Sequence, residues 1–136
     1  MLADSTHALL EALRARGLKL ALVSNTASPK WLLQPMLERQ GIAERVDAIV
    51  LSSEVGKRKP HPAIFERALS ELDVDASVAL FVGDRLEADV LGASRIGMKT
   101  IQAVWFRADE GPAGVEPDYQ AFTQMDVLNV VDRLGA

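Results

Sequence analysis

Apolar residues along the chain alternate between helical spacing and short continuous runs. Leu9, Leu10 and Leu13 sit at helical spacing, behind Asp4, Ser5 and Thr6 as candidate N-caps and ahead of Gly17 as a left-handed cap. Residues 18–23 then form an almost wholly apolar run, the pattern of a strand buried on both faces. The cycle repeats. Ser28-Pro29 opens a helix carrying Trp31, Leu32, Met36 and Leu37 and closed by Gly41, and residues 46–51 form the next strand. Pro62 opens a third helix with Ile64, Phe65, Ala68, Leu69 and Leu72 on one face, ahead of a strand over 78–82. A helix over 88–96 ends at Gly97, and a strand over 100–104 follows. Beyond a Gly/Pro-rich loop at 109–117, the pattern predicts a short edge strand at 119–122 and a last helix over 125–134.

Strands alternating with helices imply βαβ units and an α/β fold, a doubly wound parallel sheet with helices on both faces. The length of 136 residues fits one domain, 1–136, with a hydrophobic core of its own. A net charge of −4 argues against a nucleic-acid partner, which calls for a basic face. With no cysteine, thiolate metal sites, thiol nucleophiles and disulfides are excluded. No apolar run approaches the roughly 18 residues of a membrane span, and residues 1–4 are too polar for a signal peptide. No membrane partner is expected, and a cytoplasmic location is the default.

Parallel sheets bind ligands at the carboxyl ends of their strands, so the informative residues directly follow each apolar run. After the first run come Ser24, Asn25 and Thr26. A hydroxyl and exposed N–H groups there hold a phosphate oxygen, or else simply make a turn. After the second comes a loop from Ser52 to Pro62 with the basic residues Lys57, Arg58 and Lys59, where a held lysine neutralises an anion and the alternative is a solvated basic loop. His61, between two prolines, reads as a surface or packing residue rather than a base. After the third come Gly83-Asp84 and then Asp89. Asp84 is placed to reach a metal or to cap a helix, and Asp89 to support that site or to face the helix dipole. Glu87 faces solvent in either case. Trp31 and Trp105 read as packing residues.

Taken together, these segments resemble the haloacid dehalogenase-like hydrolases, mostly magnesium-dependent phosphatases. Leu20-Ala21-Leu22-Val23-Ser24-Asn25-Thr26 resembles the second motif of that superfamily, Lys57 to Phe65 the third, and Phe81-Val82-Gly83-Asp84-Arg85-Leu86-Glu87-Ala88-Asp89 the fourth. The likeness runs from about Leu9 to Leu134. It implies that Ser24 and Asn25 bind a transferring phosphoryl group, that Ser24 and Lys59 act in catalysis, with Lys59 stabilising the charge, and that Asp84 and Asp89 hold Mg2+. The expected ligand is a phosphorylated small molecule.

One departure limits this. The first motif of the family is an apolar strand ending in Asp-x-Asp, whose first aspartate attacks phosphorus and whose second is the acid/base. Asp4 is the only aspartate before Ser24 and too few residues precede it to make that strand. The inserted cap is absent as well. In the family the missing strand is central, so its loss leaves the strands ending at Val23 and Val82 without their shared neighbour. The chain is therefore expected to be inactive alone, to bind magnesium weakly, and to complete its sheet by dimerisation or strand exchange. The alternative is a non-catalytic module that keeps the fold to bind a phosphorylated ligand or a protein partner.

Overall fold

The computed structural model describes residues 2–106, 111 and 114–135. The chain divides into two compact units, Met1–Asp73 and Val74–Ala136.

In the first unit, helix α1 (Leu2–Ala15) leads into strand β1 (Ala21–Ser24), helix α2 (Lys30–Arg39), strand β2 (Ala48–Leu51), a single turn α3 (Ser52–Val55) and helix α4 (Pro62–Leu72). The first helix begins earlier than its polar residues suggest, so Asp4, Ser5 and Thr6 lie inside it rather than capping it. Gly17 takes φ +79°, the left-handed geometry that a side chain resists. β1 and β2 pair in parallel, with Ala21 opposite Ala48 and Ser24 opposite Leu51. Helix α4 packs on both strands and supplies the core residues Ile64, Phe65 and Ala68, which join Val50 and Leu51 of β2. Fully burying one such large side chain contributes about 1.5–3 kcal/mol. Polar links hold the outer layer. Arg45 donates to Glu11 at 3.0 Å and to the Gly41 carbonyl at 2.7 Å, and Arg14 reaches Asp47 at 3.3 Å. The Glu11 hydrogen bond, with further charge from Glu11 and Glu44, raises the Arg45 pKa above its ordinary value.

Two further expectations fail here. β1 is half-buried along its whole length rather than buried on both faces. The reason is its single ladder neighbour, β2, among the described residues. Trp31 is not a packing residue, being 76% exposed. Helix α2 turns Leu33 and Leu37 inward and leaves Trp31, Leu32 and Met36 on its outer side, so none of its residues is fully buried.

In the second unit, strand β3 (Leu80–Gly83) runs through the turn at Asp84 into a π-helical segment (Leu86–Leu91) and α5 (Gly92–Arg95). Strands β4 (Lys99–Ala103) and β5 (Tyr119–Ala121) and helix α6 (Gln124–Leu134) complete it. The three strands are parallel in the order β3-β4-β5, and β4 is the buried centre. The core is Leu86, Val90, Ala93, Ile101, Ala103, Ala121, Val127 and Val130. β5 is fastened at its start, where the Asp118 carboxylate accepts from the Thr100 N–H at 2.9 Å and the Thr100 hydroxyl accepts from the Asp118 N–H at 3.1 Å. Thr123 and Asp126 form a reciprocal capping box at the head of α6. Part of the loop predicted over 109–117 lies outside the described residues. Among the described residues, β3 has one ladder partner, β4, and Val82 is 38% exposed. No described helix is long and apolar enough to cross a membrane.

Candidate phosphate and magnesium sites

In the first unit, the residues after β1 and β2 converge. Ser24 is the last residue of β1, and the turn after it is held by two serines of α3, the helical turn that follows β2. The Ser52 hydroxyl, on a residue only 4% exposed, accepts from the Thr26 N–H at 2.8 Å and donates to the Thr26 carbonyl at 2.9 Å. The Ser53 hydroxyl donates to the Ser28 carbonyl at 2.7 Å. The backbone beyond Ser24 is thus fixed before any ligand arrives, which is what an anion site made of N–H groups requires.

The basic loop is sorted by burial. Lys57 and Arg58 are exposed, whereas Lys59 is half-buried. The Lys59 ammonium donates to the Val23 carbonyl at 3.3 Å, which places it at the end of β1, one residue from Ser24. The Lys59–Pro60 peptide is cis. Asn25 reaches the same loop, accepting from the Lys59 N–H at 2.7 Å and donating to the Lys59 carbonyl at 3.2 Å. Its side chain is therefore turned to the lysine backbone. His61 caps α4, its Nδ1 accepting from the Ala63 N–H at 3.0 Å.

In the second unit, Asp84 follows β3 directly and is half-buried. Asp89 is 3% exposed, and its carboxylate accepts from the Arg85 N–H at 3.0 Å. It lies against Gly83 so closely that a Cβ at residue 83 would sit 2.5 Å from Oδ2. The glycine therefore serves close approach as well as the turn. Glu87 is exposed. Among the described residues no group of three or more His, Cys, Asp or Glu side chains gathers for a metal. Asp84 directly after β3 and Asp89 in the segment that follows offer two carboxylates, the donor type that Mg2+ commonly takes, one or two at a time, with water and phosphate oxygens.

Two positions escaped the reading of the sequence. Ser52 looked like one residue of a loop, and nothing local marks it as the clamp on Thr26. Gln102 had a signal, since it is a lone amide in an apolar run. It is 2% exposed, donates to the Asp84 carbonyl at 3.5 Å and accepts from Gln120 at 3.2 Å, tying the end of β3 across β4 to β5.

The chain is a parallel α/β fold with a hydroxyl, a lysine and an acidic turn beyond its strands. The family model for haloacid dehalogenase-like hydrolases matches residues 2–103, and the chain belongs to that family. It is 36% identical over 126 residues to a ribulose-1,5-bisphosphate 5-phosphatase of Halopiger xanaduensis, covering 93% of this chain and 51% of the relative. It is 39% identical over 99 residues to a glyceraldehyde 3-phosphate phosphatase of Pyrococcus abyssi, covering 73% of this chain and 40% of the relative. Among solved structures, a HAD phosphatase from Thermococcus onnurineus superposes with a TM-score of 0.79 at 29% identity, over 93% of this chain and 56% of that one. The chain thus spans about half the length of these relatives.

Proposed function

We propose that residues 1–136 form the phosphate- and magnesium-binding core of a hydrolase acting on the phosphate ester of a small molecule. The observation that carries this reading is the Lys59 ammonium at the end of β1, next to Ser24. A cation held at a strand terminus beside a serine residue suits the charge on a phosphoryl group. Ser24 and the N–H groups after it bind phosphate oxygens, and Lys59 offsets the negative charge that grows on them. In the second unit, Asp84 and Asp89 would hold Mg2+, whose chemistry when bound is the neutralisation of oxyanion charge. The two phosphatases of sugar and triose phosphates support a phosphorylated small molecule as ligand.

The nucleophile is not among these residues under this reading. An added strand ending in Asp-x-Asp would carry it, whereas strand exchange with a second copy would complete the sheet without supplying it. The half-buried β1 and the part-exposed Val82 of β3 support strands with room for another neighbour. The test is Mg2+-dependent hydrolysis of an aryl phosphate by residues 1–136, and by the same residues carrying an N-terminal Asp-x-Asp strand. Turnover in the extended chain only, lost in Asp84→Ala, is expected. Absence of both phosphate binding and turnover in the extended chain refutes the function. Turnover by residues 1–136 alone refutes the missing-nucleophile reading. Light scattering that shows a folded monomer at every concentration refutes strand exchange.

A further inference from the structure

We propose that Asn25 is a positioning residue for Lys59, acting on phosphate through the lysine rather than by its own side chain. This role rests on the phosphate reading above and deepens it. Asn25 and Lys59 are 34 positions apart, yet one amide engages both backbone groups of the lysine, the N–H at 2.7 Å and the carbonyl at 3.2 Å. Both bonds are part-buried. With Oδ1 on the N–H and Nδ2 on the carbonyl each atom meets its complement, whereas the flipped amide would set donor against donor and acceptor against acceptor.

Lysine carries its charge on a flexible four-carbon stem, and holding it still costs rotamer freedom. Its neighbours Lys57 and Arg58 are exposed, so the loop has no general tendency to bury its charges. The grip on the Lys59 backbone fixes where the stem starts. The ammonium then falls beside the Val23 carbonyl, one residue before Ser24 and two before Asn25 itself. The amide that fixes the lysine thus belongs to the strand end at which the ammonium must stand. Asparagine suits this task in both length and chemistry. Aspartate lacks the donor for the carbonyl, glutamine is one methylene longer, and serine does not reach both groups.

The test is the affinity for inorganic phosphate, with Mg2+ present, followed by titration calorimetry. The proteins are the wild-type chain, Asn25→Ala, Lys59→Ala and the double variant. Asn25→Ala is expected to weaken phosphate binding about tenfold, on the scale of one hydrogen bond. In the Lys59→Ala background the same change is expected to cost nothing further, the signature of a residue that works through the lysine. Equal weakening in both backgrounds would mean that Asn25 touches phosphate or shapes the whole turn, and overturns the role. No weakening in either background overturns it as well. A wild-type chain that binds no phosphate overturns the phosphate reading itself, and this role with it, a failure seen before any variant is compared. Amide hydrogen exchange at Lys59 checks the grip independently of ligand. Protection is expected to fall in Asn25→Ala with other strand amides unchanged, and unchanged protection at Lys59 overturns the proposal.

Discussion

Gly83→Ala is the single-methyl change that should report most directly on how the acidic turn is built. The new Cβ would stand 2.5 Å from Asp89 Oδ2 and closer still to the Asp89 Cβ and Cγ. Non-bonded heavy atoms prefer about 3.5–4.0 Å, so one side must move. Asp89 is 3% exposed and its carboxylate holds the Arg85 N–H at 3.0 Å, so it moves only by giving up that bond. Overpacking costs about 1–3 kcal/mol, and leaving a part-buried donor unsatisfied costs about 1–3 kcal/mol more. Against this, alanine restricts the unfolded chain and returns about 0.4–1 kcal/mol. The net expectation is a loss of about 1–5 kcal/mol, a large fraction of the 5–15 kcal/mol that holds an ordinary domain together. Urea unfolding, followed by Trp105 fluorescence and circular dichroism, measures it. A stability within about 0.5 kcal/mol of wild type would refute the close-approach argument. The source of the cost is checked in an Asp89→Ala background, where the obstructing carboxylate is gone. There Gly83→Ala should be near neutral, and an undiminished cost would assign the strain to some other contact.

Three further outcomes are expected. Ser52→Ala removes both bonds to Thr26 and should destabilise the first unit by about 1–3 kcal/mol, read from the urea midpoint. An unshifted midpoint would show that the turn after β1 holds itself. Phe65→Ala empties a site that is 1% exposed and should cost about 3–5 kcal/mol in the same assay; a loss under about 1 kcal/mol would contradict its place in the core. Thr123→Ala breaks the capping box of α6 and should cost about 1 kcal/mol, with Thr123→Ser restoring most of it; equal stability of the two variants would rule out the cap.

Hydrophobic periodicity and turn chemistry were sufficient for the alternation of strands and helices and for choosing where candidate residues should be sought. The apolar face of α4 was legible because 3.6-residue spacing puts Ile64, Phe65 and Ala68 on one side wherever the helix packs. Ser24 and Asp84 stood out as candidates because they end or directly follow strands, and a parallel sheet presents strand ends to ligands. Other features depended on partners distant in sequence. Whether β1 is buried on both faces depends on how many strands flank it, a count that its own apolar run does not contain. Which side of α2 faces inward depends on what lies beneath it, so Trp31 could be placed only in three dimensions. The division of labour in the basic loop is also tertiary. Lys57, Arg58 and Lys59 are all cationic, and Lys59 is singled out by the Asn25 amide and the Val23 carbonyl, which the fold brings from 34 and 36 residues away. Sequence alone supplied the family and the chemical inventory, because these reside in local residue types and their order. The fixed position of each group was decided by hydrogen bonds that exist only once distant strands are side by side.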